Sequence, residues 1–170
     1  MESDPDVDAF EAAVEAHDGT VSRSLAAEFG AAIEAVIETP AVGVAVSLSG
    51  VSLTDSNVDL TPSPSALDAA RTGITPAKFG IETLGTVFLE SRSAGDEPVS
   101  LFPERHIAVL AASDIAPDLE TAFDRLEEEF ANGSMSGVLA SGPSATADMG
   151  ATVQGVHGPS EVHVLVVTDR

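Results

Sequence analysis

The stretch "VHVLVVT" at residues 162–168 is apolar on both faces of any strand it forms. A strand with water on one side alternates apolar and polar side chains, so a run of this kind belongs in a sheet covered on both faces. "IAVLA" at residues 107–111 and "TVFLE" at 86–90 read as further buried strands, and "VLA" at 138–140 adds another. At residues 42–48, Val42, Val44, Val46 and Leu48 alternate as in a strand.

Helical periodicity separates these runs. Val7, Phe10, Ala13 and Val14 recur at helical spacing over residues 5–17, with Ser3 or Asp4 as N-cap. Leu25, Phe29, Ile33, Val36 and Ile37 form a second pattern behind a Ser24 cap and before Pro40, and Gly30 inside it reads as a close helix contact. A short helix is expected at 65–71. The strongest pattern holds Leu119, Ala122, Phe123, Leu126 and Phe130, with Pro117 in its first turn and Gly133 beyond its end. Residues 49–64 read as a loop with one short strand at 51–54, and "SRSAGDEPVSLFPERH" at 91–106 as the longest irregular stretch between strands. Helices and strands alternate without internal repeats, which predicts one three-layer α/β domain over residues 1–170.

Composition narrows the chemistry. The 170 residues carry 28 acidic against 7 basic side chains, a formal charge of -21. Such a surface repels nucleic acid, whose binding rests on Lys and Arg neutralising phosphates. The acidic excess, with Lys78 the only lysine, fits a solvated surface suited to concentrated salt, which screens self-repulsion. The absence of cysteine excludes disulfides, thiolate catalysis and any iron-sulfur cluster held by this chain's own sulfur. The acidic "MESDPDVDAF" lacks the basic and apolar regions of a signal peptide, and no apolar run is long enough to span a bilayer. The expected location is cytoplasmic, without membrane insertion.

Chemistry-bearing residues concentrate at 141–163. "SGPSATADM" follows a strand and is expected to lead into a short helix near Thr146, whose free backbone N–H groups suit a phosphate or carboxylate. In this reading Ser141, Gly142, Ser144 and Thr146 hold a small anionic ligand beside Asp148. The alternative is a turn with Thr146 as a helix cap. His157 stands between Gly155 and the Gly158-Pro159 turn, before the last strand, where an imidazole serves as acid-base group, donor or loop tether. His163, inside that strand, reads as a packed, hydrogen-bonded core residue. His106 precedes its own strand as His157 does, and converging strand ends are a way to bring the two together. A Ser144–His157–Asp148 relay and a metal site from Asp148, His157, Glu161 and His163 both lack a recognised spacing. Glu82, Thr83 and Gly85 precede a strand and are candidates for the same sheet edge. Arg71, Arg92 and Arg105 are rare cations that either pair locally or hold an anion.

Four segments in order, "GITPAKFGIETLGTVFL", "SLFPERHIAVL", "SGPSATADM" and "GVHGPSEVHVLVV", together resemble the lactate-utilisation protein C family, also called the LUD domain. "DGTVSRS" at residues 18–24 fits the family's N-terminal part. The resemblance implies a fold similar to the sugar-isomerase and CoA-transferase-like group. It also implies a role beside iron-sulfur partner proteins in oxidising L-lactate to pyruvate, with the clusters in the partners and none in this chain. His157 and Asp148 are then the candidate catalytic residues. Ser141, Gly142, Ser144, Thr146, Gly158, Thr83 and Gly85 are the candidate ligand-binding residues, and no metal is expected. Three departures from the family pattern stand out. Glu82 is displaced by one residue relative to Gly85-Thr86, and Ala145 and Ser160 stand where basic residues are usual. A stand-alone enzyme of the CoA-transferase or sugar-phosphate-isomerase type and a noncatalytic interaction module are the other readings.

Overall fold

Alternate residues of the two apolar runs bury on opposite faces of a parallel sheet. Ala108, Leu110, Val164 and Val166 pack with Phe10 and Val14 on one face. Ile107, Val109, Leu165 and Val167 pack with Phe29 and Ile33 on the other. In a computed structural model, residues 5–133, 136–148, 151–155 and 157–170 are described; the side chains of 147, 148, 151, 152 and 154 are outside that description. In chain order the elements are α1 (Val7–Glu15), β1 (Thr20–Ser24), α2 (Phe29–Val36), β2 (Ala41–Gly43), β3 (Val58–Asp59) and α3 (Pro64–Ala69). They continue with β4 (Thr72–Pro76), β5 (Phe79–Ile81), β6 (Thr86–Glu90), α4 (Asp96–Leu101), β7 (Arg105–Ala111) and β8 (Ile115–Ala116). The last are α5 (Leu119–Ala131), β9 (Gly137–Ala140), β10 (Ala145–Asp148), β11 (Ala151–Gln154) and β12 (Glu161–Val167).

The main sheet has the order β1-β12-β7-β4-β2-β3. Its strands are all parallel. All six N-terminal ends therefore lie along one edge and all six C-terminal ends along the other. A smaller mixed sheet, β8-β5-β6-β9, packs Val87 and Leu89 into the same core face as α1. Its outer face, with the stacked rings of Phe79 and Phe88, is covered by α5. The architecture is the expected α/β class, a parallel sheet flanked by helices, with a small sheet sharing one flanking layer. α5 buries Ala122 and leaves Phe123 and Phe130 exposed, because it lies on the small sheet and covers it with only part of its apolar stripe.

Several local expectations change. Asp6 caps α1, accepting from the backbone N–H groups of Asp8 and Ala9, while Ser3 and Asp4 lie outside the described residues. The Ser24 hydroxyl donates to the Leu25 carbonyl and caps nothing, because Ser24 ends a strand. Nothing approaches within 4 Å of where a Cβ on Gly30 would sit, so that glycine marks no close contact. Pro117 stands before the N-cap, which is Asp118. The 42–48 run leaves the sheet after Gly43, and Val51 and Leu53 enter the core from a turn, with no strand at 51–54. β1, β4 and β5 are strands that the apolar patterns do not announce. The 91–106 stretch contains α4, which packs Val99 against Val42 and Val44. The helix expected near Thr146 is instead the hairpin β10–β11, with Thr146 opposite Val153.

Candidate functional site

Two glycine-dependent turns carry the chain from β9 past the N-terminal edge of the main sheet and back into β12. At Gly142 the backbone is left-handed (φ 66°), and a Cβ there would fall 2.0 Å from the His17 carbonyl oxygen, so only glycine fits. The returning segment is tied to the first by the Ser144 N–H donating to the Pro159 carbonyl and the Gly155 N–H donating to the Ser144 carbonyl. Gly158 lies against Ser144, its missing Cβ only 3.0 Å from the serine Cβ.

Between these turns, α4 and the strands lies a cavity of about 170 Å³. It is lined by Gly142, Ser144, His157 and Gly158 from the turns, Ser100 from α4 and His106 from β7, with apolar walls from Leu89, Val138 and Val162. His106 and His157 thus share one cavity, as convergence of their strands requires. Among the described residues its lining holds no Lys, Arg, Asp or Glu side chain. Its polar groups are hydroxyls, imidazoles and backbone. His106 is 2% exposed, with Nε2 2.8 Å from the buried Thr75 Oγ1. Burial pushes its pKa down to about 4, which leaves the ring uncharged at neutral pH. His157 is exposed at the cavity rim.

The remaining candidates lie elsewhere. The Ser141 and Thr86 hydroxyls are 2.6 Å apart, joining β6 to the end of β9. Thr83 lies in a single 3-10 turn, Glu82–Leu84, and Gly85 closes it in a left-handed conformation where a Cβ would meet the α1 backbone at 2.3 Å. The segment is therefore a turn, and Glu82 does not lie on a strand face. That carboxylate accepts from the Asp6 backbone N–H at the start of α1. Thr146 is in the hairpin; Asp148 ends β10, and its side chain, and with it the Ser144–His157–Asp148 relay, lies outside the described residues. The hairpin also removes the helix N-terminus that was to hold an anion. His163 is buried on the opposite face of the main sheet, its Nδ1 2.8 Å from Thr20 Oγ1 and its Nε2 2.8 Å from Ser22 Oγ, the core role expected of it. Glu161 accepts from Arg105. Among the described residues no three His, Asp or Glu side chains gather as a metal site.

A second cavity, of about 230 Å³, opens at the C-terminal edge of the main sheet. Its walls come from Ser47 and Leu48 after β2, Pro76 to Lys78 at the end of β4, Glu90, Arg92 and Asp96 around α4, and Asp114 after β7. Composition drew attention to Lys78 and Arg92 without placing them; the wall they share is fixed by residues far apart in sequence. Buried Asp96 holds the Arg92 guanidinium, accepting from Nε at 3.0 Å, and Lys78 pairs with Glu129 at 2.9 Å. Desolvation raises the pKa of the half-buried Asp114 carboxyl, against the pull of Arg125 and Lys78.

Residues 65–167 match the family model of the LUD domain. The chain is 31% identical over 148 residues to lactate utilization protein C of Geobacillus thermodenitrificans, covering 85% of this chain and 59% of that one. It is 35% identical over 108 residues to lactate utilization protein C of Bacillus subtilis, covering 61% of this chain and 45% of that one. The chain thus spans about half the length of the curated relatives it matches. In fold it is similar to a DUF162 family protein from Deinococcus radiodurans, with a TM-score of 0.70, 23% identity and 94% of each chain covered. On the family match and these relatives together, the chain belongs to the LUD domain family.

Proposed function

We propose that this protein takes part in L-lactate utilisation as an accessory subunit beside iron-sulfur redox partners, and that it holds a small organic anion in the cavity at the N-terminal edge of its parallel sheet. The observation that carries the reading is the convergence of Gly142, Ser144, His157 and Gly158 with His106 on one small cavity. These residues come from three of the four segments that resemble the family. Ser144 offers a hydroxyl donor, and His157 at the rim is the group placed to exchange a proton between ligand and solvent. A chain without cysteine leaves electron transfer to clusters held by the partners. The relatives' name, lactate utilization protein C, supplies the substrate class.

Deleting the gene in its host and complementing with wild type, Ser144→Ala and His157→Ala tests this. Growth on L-lactate is expected to fail in the deletion strain, return with wild type and stay impaired with either variant. Normal growth of a deletion strain with no second copy overturns the reading. Full rescue by both variants moves the function away from this cavity.

The second cavity favours one other reading, a stand-alone enzyme of the CoA-transferase or sugar-phosphate-isomerase type. Such an enzyme needs an acidic base and a cation together, and Asp114 with Lys78 and Arg92 meets that need at the strand ends where α/β sheets commonly bind ligands. Thermal shift in concentrated salt separates the two. Phosphorylated sugars that stabilise wild type and lose the effect in Asp114→Asn favour the second reading; lactate or pyruvate stabilisation lost in Ser144→Ala favours the first.

A further inference from the structure

His106 lines the floor of the uncharged cavity, and only one of its ring nitrogens has a hydrogen-bond partner among the described residues: Nε2, at 2.8 Å from Thr75 Oγ1. Either group can donate in that contact. If Nε2–H donates, the Thr75 hydroxyl hydrogen is left without an acceptor at a fully buried position, where none is found among the described residues. An unpaired buried hydroxyl is unfavourable. If Thr75 donates, the contact is satisfied and the ring proton resides on Nδ1. Nδ1 then carries an N–H that nothing in the described chain receives, on a ring that lines the cavity.

We propose that Thr75 locks His106 in the Nδ1–H tautomer, and that this N–H is the donor that recognises an acceptor oxygen, keto or carboxylate, of a small 2-oxo or carboxylic acid in the cavity. The inference rests on the reading of this cavity as the ligand site and assigns its recognition element. Thr75 is a positioning residue that acts through the ring. Burial keeps the imidazole uncharged and the donor constant over the neutral range. With its proton on Nδ1, His106 binds and orients oxygen and does not serve as the base, which leaves proton exchange to His157.

The test is long-range proton–nitrogen NMR on the full chain labelled with 15N-histidine, with and without pyruvate. The expected spectrum shows His106 protonated at Nδ1 and bare at Nε2, with Nδ1 shifting as pyruvate is added. Thr75→Val is expected to release the tautomer and Thr75→Ser to restore it, a distinction that a packing role alone does not produce. His106→Asn is expected to weaken pyruvate binding roughly tenfold by calorimetry, about the worth of one hydrogen bond. A wild-type ring protonated at Nε2 overturns the proposal, and that result needs no variant to fold. A correct tautomer that neither pyruvate nor L-lactate perturbs overturns the recognition role. Normal growth of the deletion strain alongside a pyruvate-responsive His106 removes the lactate-utilisation reading and leaves this one standing.

Discussion

The two cavities are lined by neighbouring residues of the same elements and differ in chemistry. Leu89 and Ser100 line the one at the N-terminal edge of the parallel strands, while their near neighbours Glu90 and Asp96 line the one at the C-terminal edge. α4 begins beside the second and ends beside the first. At the C-terminal edge, connections leaving β2 and β4 depart in opposite directions, to β3 on one side and toward β7 on the other, which makes the gap between them a topological switch point. Fold rules therefore favour the charged cavity, whereas the residues singled out by their types gather at the uncharged one. In the charged cavity the cations are already engaged, Arg92 by Asp96 and Lys78 by Glu129. An anion arriving there competes with carboxylates of the chain. In the uncharged cavity His106 Nδ1 is without a partner among the described residues. In a chain of net charge -21, short-range donors of this kind have to do the holding, because the long-range field opposes any anion.

Acid separates the two regions most strongly. His106, and His163 on the far side of the sheet, have pKa values lowered to about 4 from an ordinary 6.5. Between those values the unfolded chain binds protons that the folded chain refuses. Stability is therefore unaffected above about pH 6.5 and falls as pH drops toward 4, by up to about 3 kcal/mol per ring. Asp114 has the opposite sign: its raised pKa means the folded chain takes up that proton first, so its share of stability grows as pH falls. Urea unfolding across pH 4 to 7 is expected to fall steeply in wild type and less steeply in His163→Gln. A flat wild-type profile breaks the assignment of buried, uncharged rings.

Asp96→Ala is the next largest effect. It strands the Arg92 charge, and because Arg92 is 31% exposed and can hydrate, the expected loss is about 2 kcal/mol, below the 3 to 5 of a fully buried pair. Pyruvate affinity of the other cavity should stay within twofold of wild type. A larger change in calorimetry shows that α4 couples the two regions.

Gly142→Ala forces a left-handed alanine against the His17 carbonyl and is expected to cost on the order of 1–3 kcal/mol by thermal unfolding while weakening pyruvate binding. Unchanged binding in that variant detaches the turn from the cavity. The smallest effect is that of salt. Raising it from dilute to molar screens the chain's repulsion, so pyruvate affinity should rise by a few fold, whereas a ligand held mainly by Lys78 and Arg92 should weaken.

Part of the candidate site was legible in advance because histidine is scarce, four in 170 residues, and because Gly-Pro turns punctuate the stretch. Ser144, His157, Gly142 and Gly158 sit in two short turns, and each turn is local. The misread helix in the same stretch has its cause outside the four residues 145–148 themselves. "ATAD" has no strong preference, and pairing with residues 151–154, a partner outside its own window, turned an expected helix into a hairpin. The role of Gly85 is comparable: beside Thr86 it resembles a ligand motif, and only α1 packed across it reveals the steric reason for a glycine.

By itself the sequence determined the α/β class, since runs apolar on both faces at β7 and β12 have to be covered twice, and the amphipathic periods of α1 and α5 supply covering helices. It determined the charge, the lack of sulfur chemistry and the order of the family-like segments. Tertiary structure alone decided that "TVSRS" and "TGITP" are strands, that Thr75 meets His106 across 31 residues of sequence, and that charged and uncharged groups part to opposite ends of one sheet. Parallel pairing joins segments far apart in the chain, and a cavity is the space such segments leave between them, so neither has a period that a local window of residues can carry.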